Sequence, residues 1–225
     1  MNYTKIKSTD FIEVIMAKLG AGYVYGTIWT RCTIWTLKEC YSRLKNKVRA
    51  NYYEKDGDFT KGACARWVGH MVCDCTGLVE SSYSKITKSK LDLSAQGFYD
   101  SCKNKDFKRD LVAGDAVFIR GKVRIDHIGI YLGNGKVIES RGVDYGVVVT
   151  DYKGRGWTNH GELPFIEYVN EKTEIETEID KAVELGILTS PGLWVDVLKG
   201  NIVANKDYLL LVFKRYNELL RRTKS

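Results

Sequence analysis

Apolar residues in the first half of the chain recur at the spacing of helices. Residues 9–19 predict a short amphipathic helix with an apolar side made of Phe11, Ile12, Val14, Ile15 and Leu19. Gly20 and Gly22 follow it and favour a helix end. A second, basic helix is predicted over residues 36–53, and a third is predicted to begin at Cys75.

The pattern changes near residue 115 to short β-branched runs separated by glycine, asparagine and aspartate. These runs cover residues 116–119, 127–132, 137–140 and 147–149. Their length and the turn residues between them predict an antiparallel sheet. Helices followed by such a sheet predict an α+β domain over residues 1–168.

The chain beyond Tyr168 predicts a charged linker and a small helical module over residues 169–225. Three residues keep a helical period, namely Ile175, Ile179 and Val183. Two further helices are expected, with Ser190 and Asn205 as candidate N-terminal caps. The module is predicted to be a separate unit.

Charge is unevenly distributed. The net charge is +7, and acidic and basic residues balance from residue 171 onward, so the excess lies on the first 170 residues. A basic body attracts polyanions, but charge alone does not choose among nucleic acid, teichoic acid, anionic lipid and simple solubility. No apolar run is long enough to span a membrane. Asp10 and Glu13 interrupt the N-terminal segment, so we expect a protein made in the cytoplasm without a secretory signal.

The six cysteines are expected to be free thiols, because disulfides are rare in proteins without a secretory signal. A zinc site could be built from Cys64, His70, Cys73 and Cys75. Their separations lack the paired spacing of structural zinc sites, so we expect no metal and no other cofactor.

Cys75 is the candidate nucleophile because it lies where a loop meets a predicted helix. At a helix N-terminus, unpaired N–H groups and the helix dipole favour a thiolate over a thiol. The same N–H groups can hold the oxyanion that forms when a thiolate attacks an amide. The alternative is a small buried cysteine with a packing role.

His127 is the candidate base, since a cysteine nucleophile needs one. Alternation along residues 127–132 places the aliphatic residues on the core face and His127, Gly129 and Tyr131 on the other. Gly129 is expected to leave that face open for a substrate. His160 is predicted to be a surface histidine in a loop.

The register of the hairpin after His127 decides whether Glu139 can orient the imidazole. A two-residue turn at 134–135 would point Glu139 away from His127. A three-residue connection over 133–135 places both on one face and aligns the apolar stripes of the two strands. We prefer the second register, which brings Glu139 and His127 into one cleft with Cys75.

Four sequence segments together resemble the NlpC/P60 cysteine peptidases in order and spacing. They are DCTGL at 74–78, Gly114-Asp115, HIGIYLGNGKVIES at 127–140, and Gly22-Tyr23-Val24-Tyr25-Gly26. The resemblance covers roughly residues 10–168. It implies a papain-like α+β fold and hydrolysis of amide bonds in cell-wall stem peptides. The usual bond follows D-glutamate and precedes a diamino acid.

The resemblance also implies the roles of individual residues. Cys75 would be the nucleophile, His127 the base, and Glu139 the third polar residue, where many members have His, Asn or Gln. The residues expected to contribute to substrate binding are Tyr23, Asp74, Thr76 and Gly77.

The segment 27–70 is longer than is usual for the family and resembles the enlarged form of phage-encoded lytic enzymes. We therefore expect an endolysin that is made in the host cytoplasm and acts on the cell wall. Peptidoglycan is the expected partner, with anionic wall polymers as further candidates and no nucleic acid. The helical module would bind the wall or form a homo-oligomer. The alternatives are a CHAP-type amidase that cuts between muramic acid and L-alanine or within a cross-bridge, an acyltransferase, and a non-catalytic wall-binding protein.

Overall fold

The computed structural model describes residues 3–105, 109–168 and 174–188, together with Trp194, Val212 and residues 214–216. The chain divides into two compact units, residues 1–169 and 170–225, and each is described by itself. The first unit combines helices with an antiparallel sheet, as the predicted α+β class requires.

The helices of the first unit are α1 (Ser8–Met16), α2 (Ile34–Leu44), α3 (Cys75–Thr87) and α4 (Ala95–Ser101) in its described part. The predictions of α1 and of the start of α3 are confirmed. The predicted second helix is too long, because Asn51 has a φ of 59° and the adjacent Tyr52 and Tyr53 are both buried. Neighbouring residues point to different sides of a helix, so this pair favours an irregular segment. Helix α4 was not predicted.

The described strands are β1 (Ile6–Lys7), β2 (Thr30–Arg31), β3 (Met71–Val72), β4 (Ala116–Arg120), β5 (Ile125–Gly133), β6 (Lys136–Ser140), β7 (Val147–Asp151), β8 (Asn159–Gly161) and β9 (Ile166–Glu167). The main sheet has the order β7-β6-β5-β4-β8 and is antiparallel throughout. Strands β4 to β7 confirm the four predicted runs. The short pairs are β1 with β9, in parallel, and β2 with β3.

The hairpin of β5 and β6 has the predicted register, with Ile130 paired to Ile138. The predicted three-residue connection is wrong, because the turn consists of Asn134 and Gly135, whose φ angles are 50° and 70°. A type I′ turn of this kind matches the twist of the strands. An irregularity in β5 just before Gly133 takes up the additional residue. The glutamate of β6 and the histidine of β5 therefore lie on one face.

The main core lies between the helices and one face of the sheet. Its fully buried members include Phe11, Ile15, Phe98, Phe118, Ile128 and Phe165. A second core belongs mostly to the segment 27–70 and includes Cys32, Leu37, Cys40, Tyr53 and Cys64. All six cysteines are buried free thiols. The long segment thus packs around its own interior beside the sheet domain.

In the second unit, α5 (Glu174–Glu184) covers the first of the three predicted helices. Ile179, Leu188 and Trp194 form a small buried cluster. The predicted caps Ser190 and Asn205 lie outside the described residues. In the part of the chain that the structure describes, no helix has the length and apolar character that crossing a membrane requires.

Candidate active site

Cys75 is the first residue of α3, and the carboxylate of Asp74 organises its surroundings. One oxygen of Asp74 accepts hydrogen bonds from the N–H of Gly77 at 2.8 Å and the hydroxyl of Thr76 at 3.1 Å. The other oxygen accepts from the N–H of Gly26 at 2.9 Å. Asp74 therefore caps the helix and also holds the glycine-flanked turn that precedes the long segment.

The residue Cys75 is 7% exposed, and its burial governs the ionisation of the thiol. Burial raises the pKa of Cys75 well above its ordinary value, and the charge of Asp74 adds to the increase. Backbone groups of Ile128 and Thr76 act in the opposite direction. The predicted preference for thiolate at the helix N-terminus is therefore outweighed, and Cys75 needs a proton acceptor to become a nucleophile.

His127 and Glu139 form a hydrogen-bonded pair on the outer face of β5 and β6. His127 Nε2 lies 2.7 Å from Glu139 Oε2, and the two side chains are 15% and 0% exposed. Since Glu139 occupies Nε2, Nδ1 is the ring nitrogen left to exchange a proton. The backbone N–H that favours the Cys75 thiolate belongs to Ile128, the residue directly after His127. The nucleophile and the histidine therefore lie on adjoining segments.

Two residues that sequence reasoning missed complete the environment of Glu139. Thr150 Oγ1 donates to Oε1 at 2.7 Å. Arg155 donates from Nε to Oε1 and from Nη2 to Oε2, both at 2.8 Å. Burial by itself raises the pKa of Glu139, but the hydrogen bonds from His127 and Arg155, the His127 charge and the Thr150 hydroxyl lower it to about 2. Glu139 is therefore a carboxylate throughout the range in which an enzyme works.

Glu139 is expected to make the stability of the fold depend on pH. Its pKa falls from an ordinary 4.5 to about 2, so the carboxylate stabilises the fold above about pH 4.5 and loses this contribution as pH falls through about 2. Glu139→Gln should lower the free energy of unfolding at pH 7 by about 2 kcal/mol. Below pH 4.5, the free energy of unfolding of this variant should fall less steeply with decreasing pH than that of the wild type. Urea unfolding at pH 7, 4 and 3 measures this. Glu13→Gln, at an exposed site, is the matched control, and equal pH dependence in all three proteins would contradict the expectation.

Trp157 covers the side of His127 that the sequence led us to expect open. The two rings are stacked, with centroids 5.7 Å apart and planes 16° apart. A Cβ atom on Gly129 would lie 2.8 Å from Trp157 Cη2 and 2.7 Å from Val137 Cγ1. The prediction that Gly129 leaves room for a substrate is therefore wrong. Gly129 leaves room for Trp157, which packs beside the imidazole.

A cleft of about 440 Å³ opens beside Cys75. Its lining includes Tyr25, Leu44, Lys47, Thr76, Arg124 and Asp126. The long segment 27–70 thus contributes one wall, through Leu44 and Lys47. Asp126 pairs with Arg124 at 3.4 Å.

The same long segment positions the backbone of Tyr25. The Tyr52 hydroxyl accepts from the N–H of Tyr25 at 3.0 Å, and the Tyr53 hydroxyl donates to its carbonyl at 2.8 Å. Burial raises the pKa of Tyr23 well above its ordinary value, and the charges of Cys75 and Asp74 raise it further. Tyr23 therefore presents a protonated hydroxyl within electrostatic reach of the nucleophile.

The expected substrate-binding residues divide into two groups. Thr76 and Asp74 line the cleft, and Tyr23 lies in electrostatic range of Cys75. Gly77 does not appear in the lining of the described cleft; a Cβ atom there would lie 2.3 Å from the carbonyl oxygen of Thr27. Because Gly77 has no side chain, α3 can approach the neighbouring backbone closely.

His160 and Cys73 have structural positions. His160 lies in β8 opposite Val117 and is 3% exposed, so the prediction of a surface loop histidine is wrong. Its strand pairs with β4 at the edge of the main sheet, so residues 159–161 form a strand where a loop was predicted. Cys73 is fully buried, burial raises its pKa to about 12, and its carbonyl accepts from Ser140 Oγ at 2.8 Å. That bond ties the segment before the nucleophile to β6.

Within the described ranges, no group of three or more histidine, cysteine, aspartate and glutamate side chains is arranged to hold an ion.

Comparison with known proteins gives matches over the middle of the chain. Residues 57–162 match the model of the NlpC/P60 family. The murein DD-endopeptidase MepH of Escherichia coli K12 is 33% identical over 90 residues, which are 39% of this chain and 33% of that protein. The bifunctional muramidase/DL-endopeptidase CwlT of Bacillus subtilis 168 is 37% identical over 90 residues, 39% of this chain and 26% of that protein. The matches span a third or less of these relatives.

Among solved structures, the peptidoglycan hydrolase RipB of Mycobacterium tuberculosis is 18% identical, with a TM-score of 0.43. The alignment covers 72% of this chain and 67% of that one.

Proposed function

Since residues 57–162 match the model of the NlpC/P60 family, we propose that this protein is a cysteine endopeptidase that hydrolyses an amide bond in the stem peptide of bacterial peptidoglycan. The observation that carries the proposal is the hydrogen-bonded pair of His127 and Glu139 beside a cysteine at a helix start. The relatives MepH and CwlT are both named endopeptidases, which supports the reaction class.

The reaction begins with a neutral thiol. His127 takes the proton of Cys75 through Nδ1, and the thiolate attacks the amide carbonyl. Backbone N–H groups at the start of α3 hold the oxyanion of the tetrahedral intermediate. The imidazolium gives its proton to the leaving amine, and His127 then deprotonates the water that hydrolyses the thioester.

Glu139 supports these proton transfers without taking part in them. Its pKa of about 2 keeps it ionised beside the imidazolium. The hydrogen bond to Nε2 fixes the tautomer in which Nδ1 can accept the thiol proton. The stacked ring of Trp157 restricts rotation of the imidazole from the other side.

The cleft offers a cationic side chain to a substrate that carries a free carboxylate. Lys47 lines it together with the nucleophile and is exposed, whereas Arg124 lines it paired with Asp126. A stem peptide linked through the side chain of D-glutamate presents such a carboxylate next to the scissile bond. We therefore assign the cut to the bond between D-glutamate and the diamino acid. The enlarged segment 27–70, with its own core, supports the further assignment to the lytic enzymes of phages.

Digestion of purified peptidoglycan tests the proposal. The protein and the same protein alkylated at Cys75 are incubated with peptidoglycan, and soluble fragments are identified by mass spectrometry. New termini at D-glutamate and the diamino acid, with unalkylated protein alone, are expected. Release of whole stem peptides from muramic acid would replace this assignment by an amidase. No fragments from either sample would contradict the enzymatic function.

A further inference from the structure

Two side chains, His127 and Arg155, hold the Glu139 carboxylate in place. His127 takes one oxygen, and the guanidinium of Arg155 donates to both at 2.8 Å. We propose that Arg155 is a positioning residue whose guanidinium holds the Glu139 carboxylate in place against His127 and neutralises its charge. The identity of the reacting pair, Cys75 and His127, rests on the proposed function.

The contact has the geometry of a strong and directional interaction. Two parallel N–H···O bonds from one guanidinium fix both the position and the plane of a carboxylate. Glu139 is 0% exposed and Arg155 is 23% exposed, so water screens the pair only weakly. A lysine at this position would supply the charge without the planar fork.

Arg155 also lies against the other neighbour of the imidazole. Its guanidinium carbon is 5.5 Å from the centroid of the Trp157 ring, and that ring stacks on His127. One side chain therefore contacts both the carboxylate and the indole that hold His127. Arg155 acts on the imidazole through these two residues, which makes it a positioning residue.

The charge balance has a consequence for the two proton-exchanging groups. With Arg155 present, the negative charge of Glu139 and the positive charge of the guanidinium nearly cancel. Without it, the uncompensated carboxylate stabilises the imidazolium and disfavours the thiolate, so both ionisations shift to higher pH. Other charged or titratable groups also surround the pair of His127 and Glu139. Asp126 lies on β5 and Arg124 just before it, Tyr131 and Tyr152 lie farther along the sheet, and Asp74 and Tyr23 lie near Cys75. These groups are the same in the wild type and in the Arg155 variants.

The test is the pH dependence of alkylation at Cys75. Iodoacetate is added at a series of pH values, and modification of Cys75 is quantified by mass spectrometry. The rate is expected to rise in two limbs, first where His127 becomes able to accept the Cys75 proton and again where the thiol ionises beside a neutral His127. In Arg155→Gln both limbs are expected to move to higher pH by about 0.5–1 unit. Arg155→Lys should keep the limbs in place and react more slowly.

Three further variants separate charge from packing. Thr150→Val removes a hydrogen bond to Glu139 without a change of charge and should leave the limbs in place. Arg66→Gln makes the same charge change at an exposed pair with Asp144 and should resemble the wild type. Glu139→Gln leaves Arg155 unbalanced and should move both limbs to lower pH. This last variant keeps the test decisive if Arg155→Gln does not fold.

The outcomes distinguish this inference from the proposed function. If both limbs of the Arg155→Gln pH profile coincide with those of the wild type and only the rate is lower, the proposed role of Arg155 is overturned. A Glu139→Gln profile that does not move to lower pH would do the same. Because alkylation requires no peptidoglycan, the predicted shifts in a protein that releases no fragments would support Arg155 and refute the proposed substrate.

Discussion

Cys75→Ala is expected to lower peptide release from peptidoglycan by a factor on the order of 10⁴ or more. Removing the nucleophile of a covalent mechanism leaves only binding and oxyanion stabilisation, and losses of that size follow. The substitution removes one sulfur atom at the first residue of α3, where Asp74 still caps the helix. The loss should therefore appear in kcat, with a loss of stability of only about 1 kcal/mol. The measurement is fragment release followed by mass spectrometry.

Cys73→Ala provides the matched control for Cys75. Cys73 is two residues away, is also a buried free thiol, and serves the site through its carbonyl, which alanine retains. It should lose some stability, about 1 kcal/mol for a small buried side chain, and keep most of its activity. Equal activity of Cys75→Ala and Cys73→Ala would remove Cys75 from the mechanism.

His127→Gln is expected to have the second largest effect, a decrease in kcat of about 10²–10⁴-fold. Burial raises the pKa of Cys75, so without a base the thiol stays protonated at neutral pH. Glutamine can still hydrogen bond to Glu139 but cannot carry a proton between thiol and leaving amine. The variant should therefore also react more slowly with iodoacetamide at Cys75, which a purely structural role for His127 does not predict.

The chain offers His70→Gln as the control for this substitution. His70 is exposed and precedes β3, on the segment that pairs with residues 30–32. Its replacement should change neither fragment release nor the rate of alkylation. If His127→Gln retains wild-type release, or if His70→Gln loses it to the same extent, His127 is not the base.

The elements next to the reacting residues were accessible to sequence reasoning because each depends on neighbouring residues. Short β-branched runs between turn residues predicted β4 to β7, and the helical run that begins at Cys75 predicted the start of α3. The register of the hairpin followed from aligning the apolar stripes of β5 and β6. The turn prediction failed, since a bulge and a two-residue turn reach the same register as a three-residue connection.

The groups that tune the site were not accessible, because they arrive from segments whose paths are set by the whole fold. Arg155 lies between two glycines in a loop, and nothing local indicates that it reaches Glu139. A buried carboxylate needs a counter-charge, and this is the one signal that could have prompted a search. Trp157 occupies the space over Gly129 for a similar reason, since the loop returns across the outer face of the sheet.

The sequence by itself therefore determined α1, the strands β4 to β7, the hairpin register and the placing of Cys75 at the head of α3. These depend on periodicity, capping and the matching of apolar stripes over short distances. Only the tertiary structure decided that the Cys75 thiol is buried, that His160 is an interior strand residue, and that Arg155 and Trp157 hold the His127–Glu139 pair. Those facts depend on burial and on the paths of loops, which are set by contacts between residues far apart in the chain.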